Sequence, residues 1–84
     1  MIKKSMTIRG HRTSISLEHR FWDCLGLLAA QENLSVSALV AQIDDRRTQD
    51  LMAGADTGGL SSMIRLYILE AALHGRLNET DLGR

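Results

Sequence analysis

Seven consecutive residues constrain this chain more than any others. From His11 to Leu17 the side chains alternate, with Thr13, Ile15 and Leu17 on one face of an extended strand and Arg12, Ser14 and Ser16 on the other. A helical pattern follows at once. A lone strand has no partner inside its own chain, so the expectation is that this one pairs with a strand from elsewhere. Residues 1–9 carry a weaker alternation, with Met6 and Ile8 on one side and Ser5, Thr7 and Arg9 on the other. The apolar positions are even-numbered before Gly10 and odd-numbered after it. A bulge or bend at the glycine would produce that slip, as would a flexible arm preceding the strand.

Size adds to the need for a partner. The chain has 84 residues and one cysteine, so it forms one domain and no internal disulfide. Association with further copies is the usual remedy for so small a core. Cys24 lies in an apolar helical stretch and reads as a reduced core thiol. No apolar run is long enough for a membrane helix. No apolar signal core follows Met1-Ile2-Lys3-Lys4, so a cytoplasmic location is expected.

The net charge is zero, but it is unevenly placed. Residues 1–20 carry Lys3, Lys4, Arg9, Arg12 and Arg20 against Glu18 alone, a net of +4, and residues 21–84 carry −4. The positive charge surrounds the strand and points to a localised anion-binding footprint there.

Beyond the strand the pattern is helical. Phe21, Trp22, Leu25, Leu28 and Ala29 form one apolar face of a helix over about 19–32. Gly26, unfavourable inside a helix, is expected to mark a close approach of another helix. Asn33 is a helix stop of the left-handed kind, and Ser35 caps a second helix over about 35–50 with Val36, Leu39, Val40 and Ile43 inward. Residues 53–59, with three glycines, form a linker. A third helix over about 61–74 ends at Gly75. Its apolar residues Met63, Ile64, Leu66, Tyr67, Ile68, Leu69, Ala71, Ala72 and Leu73 surround it, broken by Arg65 and Glu70. Burying every side of such a helix again calls for a second chain. Residues 76–84 are expected to fray.

The order of strand, helix, short turn and helix resembles the ribbon-helix-helix family of bacterial DNA-binding proteins, which includes the Arc, methionine and CopG-type repressors. The resemblance covers about residues 11–48. It rests on Arg12-Thr13-Ser14-Ile15-Ser16-Leu17, the apolar set from Phe21 to Ala29, and Asn33-Leu34-Ser35-Val36-Ser37. The longer wording Gly-His-Arg-Thr-Ser-Ile-Ser-Leu-Glu, Phe-Trp, Ile43-Asp44 and Leu60-Ser61-Ser62 with Arg65 is similar to a bacterial subfamily of small domains of this type. The resemblance implies a mainly α fold: an intertwined homodimer whose two strands form an intermolecular antiparallel ribbon that enters the DNA major groove. On that pattern Arg12, Ser14 and Ser16 read bases. Ser35, Val36 and Ser37 hold a phosphate at the start of the second helix, and Lys3, Lys4 and Arg9 add basic contacts. The third helix departs from the short family members.

These readings converge on a transcriptional regulator, a repressor, with double-stranded DNA and a homodimer or higher homo-oligomer as partners. The alternative is an antitoxin-like or scaffold module that binds a protein through residues 60–74. No enzyme, cofactor or metal site is expected. His11, His19, Cys24 and His74 lack ligand spacing, and Gly58-Gly59 lacks the lysine and preceding strand of a phosphate loop.

Overall fold

The structure, a computed structural model, describes residues 1–52, 54 and 59–78, without the side chain of Asp50. Two strands, β1 (Ile2–Ile8) and β2 (His11–Leu17), precede three helices, α1 (His19–Gln31), α2 (Val36–Met52) and α3 (Leu60–Leu73). The glycine linker lies outside the described residues apart from Gly54 and Gly59, as does the tail beyond Asn78.

β2 does have a partner in its own chain, which corrects the expectation that it is a lone strand. It pairs with β1 as an antiparallel hairpin, from Ile2 opposite Leu17 to Ile8 opposite His11. Arg9 and Gly10 form the two-residue turn, with φ of 52° and 81°. Positive φ at both central positions is the signature of the type I′ turn, whose twist suits a hairpin. The turn also accounts for the slip at Gly10: of the expected alternatives it is the bend, not a bulge or the end of an arm. A two-residue turn places every even residue of β1 opposite an odd residue of β2. Met6 and Ile8 therefore share a face with Thr13, Ile15 and Leu17.

That shared face closes the core. Ile8, Ile15 and Leu17 are buried with Trp22, Leu25, Leu28 and Ala29 of α1, Leu39, Val40 and Ile43 of α2, and Ile64, Ile68 and Ala71 of α3. The inward side of β2 is thus covered by its own chain. Trp22 fastens the hairpin's open end, its Nε1 donating to the Ile2 carbonyl at 2.8 Å.

The connections follow local chemistry. Asn33 takes φ 58°. The Leu34 N–H then bonds the Ala29 carbonyl at 2.9 Å, and the Asn33 N–H bonds that of Ala30 at 3.1 Å. This is the Schellman pattern. Gly75 ends α3 in the same way, with φ 75° and bonds from Arg76 to Ala71 and from Gly75 to Ala72. The Ser35 Oγ caps α2 by accepting from the Ala38 N–H at 3.1 Å, and α2 leaves α1 at 95°.

Among the described residues no helix approaches Gly26 closely. A Cβ built there meets nothing within 4 Å, so the glycine makes room for no described neighbour. Gly26→Ala is therefore expected to stabilise the fold by about 0.5–1 kcal/mol through the helix-propensity difference, read as a higher urea midpoint. A loss of stability would mean that something outside the described chain packs there.

α3 crosses the end of the hairpin. The Ser61 Oγ donates to the Ser16 carbonyl at 3.3 Å, and Arg65 donates to Glu18 Oε1 at 2.9 and 3.0 Å. The Glu18 carboxyl is held below the usual glutamate value of 4.5, first by the backbone N–H of Glu18 and then by Arg65. A lowered folded-state value adds stability that is complete above the unfolded value and is lost as pH falls through the folded one. Thermal midpoints should hold above about pH 5 and decline below it, with a shallower decline in Glu18→Gln. Identical acid limbs in the two proteins would exclude Glu18 as a contributor.

Only part of α3 is covered. Ile64, Ile68 and Ala71 are buried, whereas Leu66, Leu69 and Leu73 are 50, 53 and 76% exposed. The described residues do not surround this helix.

Candidate nucleic-acid interface

The outer face of the hairpin follows from the register. Lys3 lies opposite Ser16, Ser5 opposite Ser14 and Thr7 opposite Arg12. Directly opposed side chains share a face, so these six residues stand together, turned away from the core. Ser16 is half-buried and the other five are exposed. The face holds two cations, three serines and a threonine, and no acid. The Ser5 and Ser14 hydroxyls are 3.3 Å apart and join the two strands into one polar row. Neither Lys3 nor Arg12 has an ion-pair partner among the described residues, so both charges are available to an anion.

The structure separates the basic residues of the first twenty positions. Arg12, Ser14 and Ser16 stand side by side with Lys3. Lys4 is on the opposite face of the sheet, beside Ile15, with its Nζ 5.0 Å from the centre of the Trp22 ring. Arg9 sits in the turn and is ion-paired to Asp45 of α2. Two of the five positive charges are thus engaged in holding the fold. Ser35, Val36 and Ser37 lie at the start of α2, where the first backbone N–H groups have no partner within the helix. The Ser35 Oγ satisfies the N–H of Ala38, leaving an anion to be met by the N–H groups preceding it.

Ser5 and Thr7 were not singled out in the sequence. The signal for them was the change of parity at Gly10, which a two-residue hairpin requires and which puts odd β1 residues on the face of Arg12.

Other chemistry is sparse. Burial pushes the Cys24 thiol up, against a smaller opposing pull from Arg20, so the thiol stays protonated at neutral pH. Among the described residues no three His, Cys, Asp or Glu side chains converge as metal ligands, and no single helix is long and apolar enough to cross a membrane. An open apolar groove of about 700 Å³ runs beside α3, lined by Phe21, Cys24, Leu66, Ile68, Leu69 and Leu77 among others.

A hairpin with one polar, acid-free face, followed by two helices crossing steeply beneath it, defines a ribbon-helix-helix architecture. The family model described as ribbon-helix-helix domain matches residues 1–72. The chain belongs to the ribbon-helix-helix family. Proteins of this family are in general DNA-binding transcription regulators or antitoxins. Searches of curated proteins and of solved structures found no match.

Proposed function

We propose that this protein is a cytoplasmic, DNA-binding transcriptional repressor that acts as a homodimer and reads the major groove with its hairpin face. The observation that carries the reading is the outer face of β1 and β2: Arg12 and Lys3 unpaired among the described residues, hydroxyls between them, and no carboxylate. An arginine fork can bond guanine O6 and N7 together, and serine can donate to or accept from a base edge. The N-terminus of α2 supplies a phosphate anchor through Val36 and Ser37. With a net charge of zero, non-specific affinity is weak, and adjacent dimers bound together compensate for it.

The dimer reading rests on the leucines that α3 leaves uncovered. Leu66, Leu69 and Leu73 recur at helical spacing and carry no charge, and Leu66 and Leu69 border the apolar groove. Such a stripe is self-complementary about a two-fold axis, and a second copy is the occupant we assign to it.

Selection from random genomic fragments, followed by sedimentation with and without the enriched DNA, tests both parts. A dimer that retains a recurring sequence supports the reading, and a protein that enriches no sequence removes it. A monomer at micromolar concentration would hand the stripe to a different protein, as an antitoxin-like module would use it.

A further inference from the structure

We propose that Arg65 of α3 is a positioning residue for base reading. Through the Glu18 carboxylate, and with Ser61 holding the Ser16 carbonyl, it fixes the open end of the hairpin and so the place from which Ser16 meets DNA. This role rests on the DNA-binding reading above and goes beyond it by giving the third helix a part in that reading.

The contacts form a clasp around one residue. Ser61 and Arg65 are four positions apart and lie on one side of α3, a turn from each other. The Ser61 Oγ donates to the Ser16 carbonyl at 3.3 Å, and Arg65 donates from Nε and Nη2 to Glu18 Oε1 at 3.0 and 2.9 Å. Between the two points held lies Leu17, the last residue of β2, fully buried. The guanidinium is itself restrained. It lies 5.9 Å from the centre of the Phe21 ring, and its Nη2 also donates to Met1 Sδ at 3.4 Å. Met1 precedes Ile2, which pairs with Leu17. A single side chain thus touches the chain on both sides of the hairpin's open end.

The two ends of the hairpin are held by different groups. At the turn, Arg9 is ion-paired to Asp45 of α2. At the open end, Trp22 holds the β1 side through the Ile2 carbonyl, and Ser61 and Arg65 hold the β2 side. Arg12 stands near the turn and Ser16 beside the clasp. Four residues of strand separate them, about 13 Å. Release of the clasp therefore moves Ser16 and leaves Arg12 in place.

The clasp suits positioning better than it suits holding the fold. The Arg65 and Glu18 side chains are 31 and 49% exposed, and an ion pair so open to water adds little to global stability. Glu18 begins α1 without a side-chain capping bond, so its carboxylate has no part in starting the helix. Two N–H bonds to one carboxylate oxygen still fix where the strand leaves the sheet. A base edge is read only when its hydrogen-bonding partner stands within bonding distance, so a loose strand end loses reading before it loses folding.

The test uses the full chain and the DNA sequence it selects. Repeating the selection with Arg12→Ala and Ser16→Ala assigns the base positions each residue reads. Arg65→Gln, Glu18→Gln, the double variant and Arg65→Lys are then compared by selection and by titration at several salt concentrations, with melting curves to confirm folding. Arg65→Gln and Glu18→Gln are each expected to weaken the selected site by roughly threefold to tenfold and to relax preference at the Ser16 positions alone. The double variant should be no worse than either single one, because the two side chains act as a unit. Arg65→Lys keeps the charge and should recover most of the preference, and binding to scrambled DNA should not change. Wild-type affinity and preference in both glutamine variants would overturn the positioning role and leave DNA reading standing. So would a loss in Arg65→Gln alone that is equal on selected and scrambled DNA and comes with a shallower salt dependence, since that marks a direct phosphate contact. If the wild type selects no sequence, both readings fall together.

Discussion

Arg12→Ala should lower affinity for the selected DNA by about tenfold to a hundredfold and leave the melting temperature unchanged. The size follows from the loss of a bidentate arginine–guanine contact, about 1–3 kcal/mol. The selectivity follows from position. Arg12 is exposed on the outer face of β2 and pairs with no carboxylate among the described residues, so its removal costs the fold little. Arg12→Lys keeps the charge but loses the planar fork, and should recover affinity for any DNA more than preference for the selected one. Lys4→Ala is the matched contrast. Lys4 lies over the Trp22 ring on the core side, so its loss should appear in stability rather than in base preference. Titrations of the three variants against selected and scrambled duplexes would check this. Equal losses in Arg12→Ala and Lys4→Ala would show that only total charge matters.

Leu25→Ala should destabilise the protein by about 3 kcal/mol, near the middle of the range for a buried leucine reduced to alanine. Leu25 is fully enclosed, at 0% exposure, among residues from the hairpin and all three helices. No single element can close over the space left behind, so the cavity persists. In a domain of this size that loss shifts the thermal midpoint by about 12–24 °C. It is also a large share of the total stability of a small domain, about 5–15 kcal/mol. Urea or thermal unfolding followed by circular dichroism would measure it. A shift under about 1 kcal/mol would show that the site is far less well packed than its burial indicates.

Much of the architecture was legible in the residues. The alternation from His11 to Leu17 specified a strand and its two faces, because strand side chains cannot do otherwise. Asn33 and Gly75 marked helix ends because each takes the left-handed conformation that a Schellman stop requires. The grouping of Arg12, Ser14 and Ser16 needed only the period of two. The pairing of β1 with β2 leaves only a trace in the residues. The parity change at Gly10 fits a bulge, a bend or a flexible arm equally well, and the turn Arg9-Gly10 lacks the Asn-Gly or Asp-Gly signature that usually announces a type I′ hairpin. Gly26 is the opposite case: an unfavourable helix residue suggests a packing role, but no described residue lies against it.

The sequence by itself determined the local states: which segments are extended or helical, where they stop, and which residues share a face. Backbone geometry within a few residues sets all of these. Only the tertiary structure decided which strand lies beside β2, which of the apolar residues of α3 are covered, and which of the basic residues face outward. Lys3, Lys4 and Arg9 are alike in charge and close in sequence. Yet Lys3 joins the outer face, Lys4 rests on Trp22 and Arg9 reaches Asp45, 36 positions away. Such fates depend on contacts between distant segments, and no local pattern encodes them.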